Sequence, residues 1–453
     1  MSIHEMRANQ RQERTALLLL LSLSVSVTLP ACSSTHRTVT SAPYTGRPIP
    51  ETFDLSATPK RPPLEWTSPT RTVVRLDPGT GYGFRTVRDT TALKGIPPDT
   101  NDAHLYYAAG VDAIRTDPSL ASAAFYWASR LDPSWADPYF ARWYTLRTAA
   151  DEDRPRRIDG RVIKRRITLP DSVRRRIDSL ILQAYVRNPF VDEQLAVEGP
   201  ALLATYQVAM AHNGRHISSK LTWYGAFAMR DWATAARMLR AALDSEPSAI
   251  GLYVYRAESQ FYLTQYDSCA ATLRAAIARI DEHDPRDTLR VYRSKEMFTY
   301  AIAIAEDAAG NDTGARTAYR QTVSENDGFA MAHLHLANRA MARQDTATAI
   351  VEAIEAAEIQ SGDADVELNA GYALLQARRL TDAIVHLHAA VRIDPQYALA
   401  SLYLGQALSQ HADTAGALAA YRDYLARSRR DDAERATVEQ AITVLGGALP
   451  ARQ

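Results

Sequence analysis

Two pairs of histidines in this 453-residue sequence are candidates for a metal site, because imidazole is a common metal ligand. His333 and His335 lie two residues apart, as do His386 and His388. On a helix, side chains two positions apart point in different directions, so neither pair converges on one metal ion. The sequence has no His-Glu-x-x-His, Gly-x-Ser-x-Gly, Cys-x-x-Cys or phosphate-loop motif. We therefore expect no catalytic residue, no metal site, no cofactor and no enzymatic activity.

Cys32 ends the most specific short motif of the chain. Residues 1–14 carry arginines, residues 16–29 are apolar or small, and Leu29-Pro30-Ala31-Cys32 follows. About 14 apolar residues are too few for the roughly 20 of a membrane-spanning helix, but they suit the hydrophobic region of a signal peptide. The end of this stretch resembles the lipobox of bacterial lipoproteins, in which the chain is cleaved before the cysteine and lipids are attached to it.

The lipobox resemblance implies a signal peptide at residues 1–31 and an exported chain anchored to a membrane through acylated Cys32. Ser33 stands where enteric bacteria use aspartate to retain lipoproteins at the inner membrane, so we expect the outer membrane, with the protein facing the periplasm. The alternative is an ordinary secretory signal with a chance cysteine. Residues 32–100 are rich in Ser, Thr and Pro and are expected to form a tether, in which 71–76 and 82–87 have the pattern of a β-hairpin.

Charge gives the chain no global preference for an ionic partner. Lys and Arg total 52, as do Asp and Glu, so nucleic acid is not an expected ligand. Residues 154–176 are the exception, because they hold ten basic and two acidic residues. This segment either binds an acidic partner or anionic headgroups, or is a solvated loop followed by an arginine-rich helix face. The two cysteines are too few for a disulfide framework.

Small residues recur in the second half of the chain at one fixed interval. Ala315, Ala349, Ala383 and Ala417 lie 34 residues apart, and a second series with the same interval consists of Ala303, Ala337, Gly371 and Gly405. A period of this length is typical of stacked helix–turn–helix units. Within 364–397, the best-defined unit, Gly371 and Ala383 leave room for close helix contact and Pro395 ends the second helix.

These features resemble the tetratricopeptide repeat (TPR), over roughly 300 of the 453 residues. The resemblance implies an all-α fold, a right-handed superhelical α-solenoid of helix hairpins. Divergent TPR-like helices are expected at 101–290, the regular array at 291–428, and a capping helix with a tail at 429–453. An insertion of about a dozen residues near 282–292 interrupts the period. Cys269 occupies a helix-contact position, so a packed thiol is expected.

In the TPR family, ligands usually lie along the concave face formed by the first helix of each unit. Carried over by alignment, the resemblance gives a binding groove formed by Leu334, His335, Asn338, Leu368, Asn369, Tyr372, Leu402, Tyr403 and Gln406. Amide side chains suit the backbone of an extended peptide, and tyrosines add rigid contact area. Asn338 and Asn369 resemble the asparagines of a dicarboxylate clamp, but that clamp also needs lysines and none follows Lys295. The alternative is that these polar residues only solvate an exposed face.

The leading interpretation is a membrane-anchored scaffold or adaptor at the cell envelope that binds an extended peptide or a partner protein in its groove. A glycan- or nutrient-binding outer-membrane lipoprotein is the alternative, although the six tryptophans are scattered rather than grouped as a sugar platform. The sequence leaves the oligomeric state and the identity of the partner open.

Overall fold

The computed structural model describes residues 51–64, 71–76, 84–89, 99–114, 116–151, 156–158, 161–163, 169–191, 223, 226–227, 230–282 and 294–449. The predicted signal peptide, Cys32 and most of the predicted insertion lie outside these residues. Within the described part, no helix combines the length and the apolarity needed to cross a membrane.

Helices dominate the described residues. Four lie in the first half, namely α1 (Ala103–Ala113), α2 (Pro118–Leu131), α3 (Asp137–Asp151) and α4 (Asp171–Arg187). Twelve follow, namely α5 (Trp232–Ser245), α6 (Ile250–Tyr262), α7 (Tyr266–Glu282), α8 (Lys295–Ala308), α9 (Asp312–Glu325), α10 (Ala330–Ala342), α11 (Thr346–Ile359), α12 (Ala364–Gln376), α13 (Leu380–Ile393), α14 (Ala398–Gln410), α15 (Thr414–Arg427) and α16 (Arg435–Val444).

Consecutive helices pair as hairpins, with α8 against α9, α10 against α11, α12 against α13 and α14 against α15. The first helices of neighbouring hairpins also contact each other, α10 with α12 and α12 with α14, more closely than the second helices do. The first helices therefore line the inner side of the array, and we call them the inner helices. This pairing confirms the predicted all-α solenoid of helix hairpins.

Small residues sit where the two helices of a hairpin approach most closely. A Cβ atom on Gly371 would lie 2.6 Å from Leu387 Cγ, and one on Gly405 would lie 2.5 Å from Tyr421 Cδ1. Ala383 is fully buried. The 34-residue series of small residues thus marks helix contacts, as the sequence predicts.

The turn inside each hairpin repeats one backbone geometry. A single residue with positive φ lies between the two helices at Thr264, Gly310, Gln344, Arg378 and Ala412. This left-handed conformation ends the first helix with a hydrogen bond across its last turn, for example from the next N–H, that of Asp345, to Ala340 O at 2.9 Å. The Asp345 carboxylate then accepts from Thr348 N and caps the second helix.

Two short β-hairpins and one packed loop complete the described structure. Strand β1 (Arg71–Leu76) pairs antiparallel with β2 (Phe84–Asp89), so the second strand begins two residues later than the sequence suggests. Strand β3 (Arg156–Ile158) pairs with β4 (Arg161–Ile163) inside the arginine-rich segment. Residues 51–64, part of the predicted tether, are packed rather than free, because Phe53 is buried in a small apolar cluster with residues of α3 and α4.

Candidate binding surface

The described residues within 99–191, which we call the N-terminal segment, fold back onto the inner helices. Their contacts reach the turns that follow three successive second helices, α11, α13 and α15. Arg187 Nη2 lies 2.6 Å from Asp363 Oδ2, Arg130 Nε lies 3.0 Å from Asp394 Oδ2, and Asn101 Nδ2 lies 3.3 Å from Ser428 O. The segment therefore runs antiparallel to the array, with its start at the array's carboxyl end.

Apolar packing joins the end of α4 to the first hairpins of the array. The Phe190 and Phe261 rings stack with centroids 4.2 Å apart, and Tyr262 Oη donates to Phe190 O at 2.7 Å. Tyr300, on α8, is fully buried and donates to Val186 O at 2.9 Å. One continuous apolar core consequently contains residues of α4, α6, α8 and α12. Part of the N-terminal segment thus shares an apolar core with the array.

The Arg187–Asp363 pair is the strongest polar link across this interface. Both side chains are almost completely buried, with 2% of Arg187 and 7% of Asp363 exposed. Arg187 also donates to Pro133 O and lies over the Tyr139 ring, 4.6 Å from its centroid. The Arg187 guanidinium thus donates hydrogen bonds to the Asp363 carboxylate and the Pro133 carbonyl, and it contacts the Tyr139 ring. A buried cation needs such partners to offset the loss of its hydration.

Four residues of the predicted groove are buried or half-buried within the array itself. Leu334, Leu368 and Leu402 are buried among array residues, each with less than 5% of its surface exposed. Asn369 is half-buried and its amide donates to Asp365 O at 2.7 Å on its own helix. These four side chains support the inner helices, and their polar or apolar groups are directed to neighbours within the fold.

His335, also predicted to line the groove, is held by two tyrosines. Its ring stacks on Tyr319 with a centroid separation of 4.8 Å, and Nε2 forms a 3.1 Å hydrogen bond with Tyr300 Oη. Burial lowers the pKa of His335 to about 4, so the imidazole is neutral at physiological pH. A neutral, stacked imidazole fits a packing role.

The remaining predicted residues form an accessible row, which we call the inner strip. Asn338 is exposed on α10, Tyr372 is half-buried on α12, and Tyr403 and Gln406 are half-buried on α14. The Tyr372 and Tyr403 rings are in contact, with centroids 4.7 Å apart. The structure thus brings Tyr372 and Tyr403 into contact, and it leaves Asn338 and Gln406 at least partly accessible on α10 and α14.

Charges beside the inner strip are largely compensated. Arg339, next to Asn338, pairs with Asp307 and lies 3.6 Å from Asp312, and Arg343 lies 3.5 Å from Asp312. These ion pairs leave little free positive charge to attract a carboxylate. The strip therefore offers aromatic faces and amides rather than an anion site.

Two of the other histidines form histidine–glutamate contacts between the two helices of a hairpin. His333 Nδ1 on α10 lies 2.8 Å from Glu352 Oε2 on α11, and Glu367 Oε2 on α12 lies 2.8 Å from His386 Nδ1 on α13. The second pair occupies the same positions one repeat later, with acid and imidazole exchanged. The contact with Glu352 raises the pKa of His333, although burial opposes it. Among the described residues, no group of three or more potential ligands is placed to hold a metal ion.

A separate cavity of about 580 Å³ opens between α7, α8 and α9. Its wall carries hydroxyl and amide groups from Thr299, Asn311, Thr313, Thr317 and Gln321, together with Arg274. Arg274 is paired with Glu306, so its charge is compensated. None of the predicted site residues lines this cavity.

Comparisons with known proteins give structural similarities only. No protein-family model matches the chain, and no curated protein matches it. The C-terminal part of a TPR repeat-containing protein from Cytophaga hutchinsonii is 15% identical, with 44% of this chain and 75% of that chain covered and a TM-score of 0.37. Pseudomonas aeruginosa PilF is 15% identical, with 45% and 86% covered and a TM-score of 0.36. Yeast Tom70 is 10% identical, with 76% and 89% covered and a TM-score of 0.36.

Proposed function

We propose that this protein is a lipid-anchored interaction scaffold of the bacterial cell envelope, which binds a short extended peptide of a partner protein on the inner strip. The observation that carries the proposal is the half-buried Tyr372–Tyr403 pair on α12 and α14, with Gln406 on the same helix as Tyr403 and Asn338 exposed on α10. Adjacent rings provide rigid apolar contact area, and amides provide the donors and acceptors that a peptide backbone requires.

The geometry limits the length of the bound peptide. Packed helices lie about 10 Å apart, so the strip across α10, α12 and α14 is roughly 20 Å long. An extended chain rises about 3.3 Å per residue, which makes a peptide of about six residues the natural occupant. The compensated charges beside the strip favour a peptide whose contact residues are neutral and apolar.

Peptide selection tests this part of the proposal directly. Phage-displayed peptides selected on the intact protein should bind about 10- to 100-fold more weakly to a Tyr372→Ala/Tyr403→Ala variant, because two aromatic contact surfaces are lost. Val385→Ala is the matched control, since Val385 is 63% exposed on the second helix α13. Equal affinity of the selected peptides for the double variant would place the binding surface elsewhere.

The anchor is the second part of the proposal, and it rests on the Leu29–Cys32 motif and the apolar stretch before it. Cys32→Ser should release the protein from the outer-membrane fraction or leave an uncleaved precursor, whereas Cys269→Ser should stay in that fraction. Mass spectrometry of the mature N-terminal peptide measures the acyl chains. A mature, membrane-bound Cys32→Ser protein would contradict the lipid anchor.

A further inference from the structure

A buried cluster of charges lies where the N-terminal segment meets the inner helices. The segment contributes two guanidinium groups, those of Arg130 and Arg187, which pair with Asp394 and Asp363. Asp394 is 1% exposed and Asp365 is 6% exposed. Among the described residues, the titratable and charged groups that face one another here include Arg130, Asp132, Tyr139 and Arg187 from the segment, and Tyr300, Asp363, Asp365, Asp394 and Tyr397 from the array, with Arg142 beside Tyr139.

The cluster holds more carboxylates than cations. Asp365 accepts a hydrogen bond from Tyr397 Oη at 3.0 Å, and the nearest guanidinium, Arg187, is already paired with Asp363. Asp132 adds a fourth carboxylate, which accepts from Ser134 Oγ at 2.6 Å. Three of these carboxylates, those of Asp363, Asp365 and Asp394, are buried against the two guanidiniums of Arg130 and Arg187, which leaves an unfavourable excess of negative charge at the interface. A proton bound by one of the buried carboxylates would compensate this excess.

The pKa shifts of two aspartates in the cluster agree with this excess of carboxylates. Burial raises the pKa of Asp394 to about 7, and the Asp363 charge adds to the increase, while Arg130 and the Gln396 N–H oppose it. Burial also raises the pKa of Asp365, and Arg187 opposes that effect. Both carboxylates belong to turns or helix starts that the N-terminal segment covers. Opening the interface would expose them to water and return them towards ordinary acidity.

We propose that closure of the N-terminal segment over the inner helices is coupled to proton uptake by this cluster, so that the closed form is tighter in mild acid than in mild alkali. Between the pKa of an exposed aspartate, about 3.9, and that of Asp394 in the closed form, about 7, the closed form binds more protons than the open form. The stability of closure therefore falls as the pH rises through this range and levels off above it. This inference goes beyond the proposed function, because it concerns the protein without anchor or peptide.

Hydrogen–deuterium exchange of the intact protein at about pH 5 and about pH 8 tests the coupling. After correction for intrinsic exchange rates, residues 130–139 and 363–368 should open about 10- to 100-fold more often at the higher pH, which is the factor that the Asp394 shift gives. Asp394→Asn resembles the protonated side chain and should remove most of the difference. Asp382→Asn is the control, since the Asp382 side chain on α13 is 45% exposed and pairs with Arg379, and it should keep the wild-type profile.

Three results would overturn the inference. The first is equal protection of these residues at both pH values in the wild-type protein. The second is an unchanged pH dependence in both Asp394→Asn and Asp365→Asn. The third is a rise in exchange of the same size in α15 and α16, since that would reflect global unfolding instead of opening at the cluster. A pH dependence confined to the interface and absent from Asp394→Asn supports it.

Discussion

Gly371 provides the sharpest test of the hairpin packing. A Cβ atom added there would lie 2.6 Å from Leu387 Cγ, 2.9 Å from Leu387 Cδ2 and 3.1 Å from Leu387 N. The side chain of Leu387 is fully buried and the backbone nitrogen belongs to the paired helix, so neither can move aside without separating α12 from α13. We expect Gly371→Ala to destabilise the protein.

Two opposing terms set the magnitude. Replacing glycine by alanine inside a helix stabilises it by roughly 0.5–1 kcal/mol through backbone entropy and helix propensity. Overpacking a well-packed contact costs about 1–3 kcal/mol. The net expectation for Gly371→Ala is a loss of about 1–2 kcal/mol in the free energy of unfolding. Gly251, in the first turn of α6, has no neighbouring atom within 4 Å of an added Cβ, so Gly251→Ala should be neutral or stabilise by a few tenths of a kcal/mol.

Urea unfolding followed by circular dichroism measures both variants under the same conditions. The opposite signs of the two changes separate a steric effect from the general effect of alanine on helices. If Gly371→Ala were as stable as the wild type, or stabilised to the same degree as Gly251→Ala, the close approach of α12 and α13 would be refuted.

Three further predictions follow from the buried polar groups. Arg187→Met leaves Asp363 buried without its cation, and should lower the free energy of unfolding by about 3–5 kcal/mol in urea titrations; a loss below about 1 kcal/mol would contradict the buried pair. His333 has a raised pKa, so its contact stabilises the fold below the unfolded-state pKa of about 6.5 and the stabilisation is lost as the pH rises through the folded-state value. His333→Gln should flatten that part of the pH–stability profile, and His388→Gln, an exposed position, should not; identical profiles would refute the assignment. Burial raises the pKa of the Cys269 thiol, so in a chain whose other cysteine is serine it should react with a thiol reagent only after denaturation, and rapid native labelling would show that it is accessible.

The helix hairpins of the array can be predicted from the sequence because the residues that specify each hairpin lie close together along the chain. Gly371 and Ala383 mark the contact within one hairpin, and Pro395 marks the end of a second helix. The geometry of the turns is harder to predict from the sequence. In the five hairpin turns the residue with positive φ is glycine only at Gly310, and at Arg378, for example, it is arginine. Tertiary packing holds these non-glycine residues in a conformation that their own preference disfavours.

The covering of the inner helices could not be predicted from the sequence. Arg187 and Asp363 are 176 positions apart in the sequence. The residues around each of them form the same kind of pattern as those around a solvent-exposed charge. Arg130 and Asp394 present the same difficulty. Alignment to a repeat pattern therefore treats the whole inner side as accessible. It also does not show that neighbouring residues of the array itself bury Leu368.

The chain folds back, so that the start of the N-terminal segment meets the carboxyl end of the array. A thiol cross-linking experiment tests it most directly, because Asn101 Nδ2 lies 3.3 Å from Ser428 O. In a Cys32→Ser background, the Asn101→Cys/Ser428→Cys pair should be joined within one molecule by a short bifunctional reagent, independently of protein concentration. The control pair Asn101→Cys/Ser361→Cys, with its second site two hairpins away, should stay unlinked. Absence of the first cross-link, or equal linking of both pairs, would contradict the closed structure.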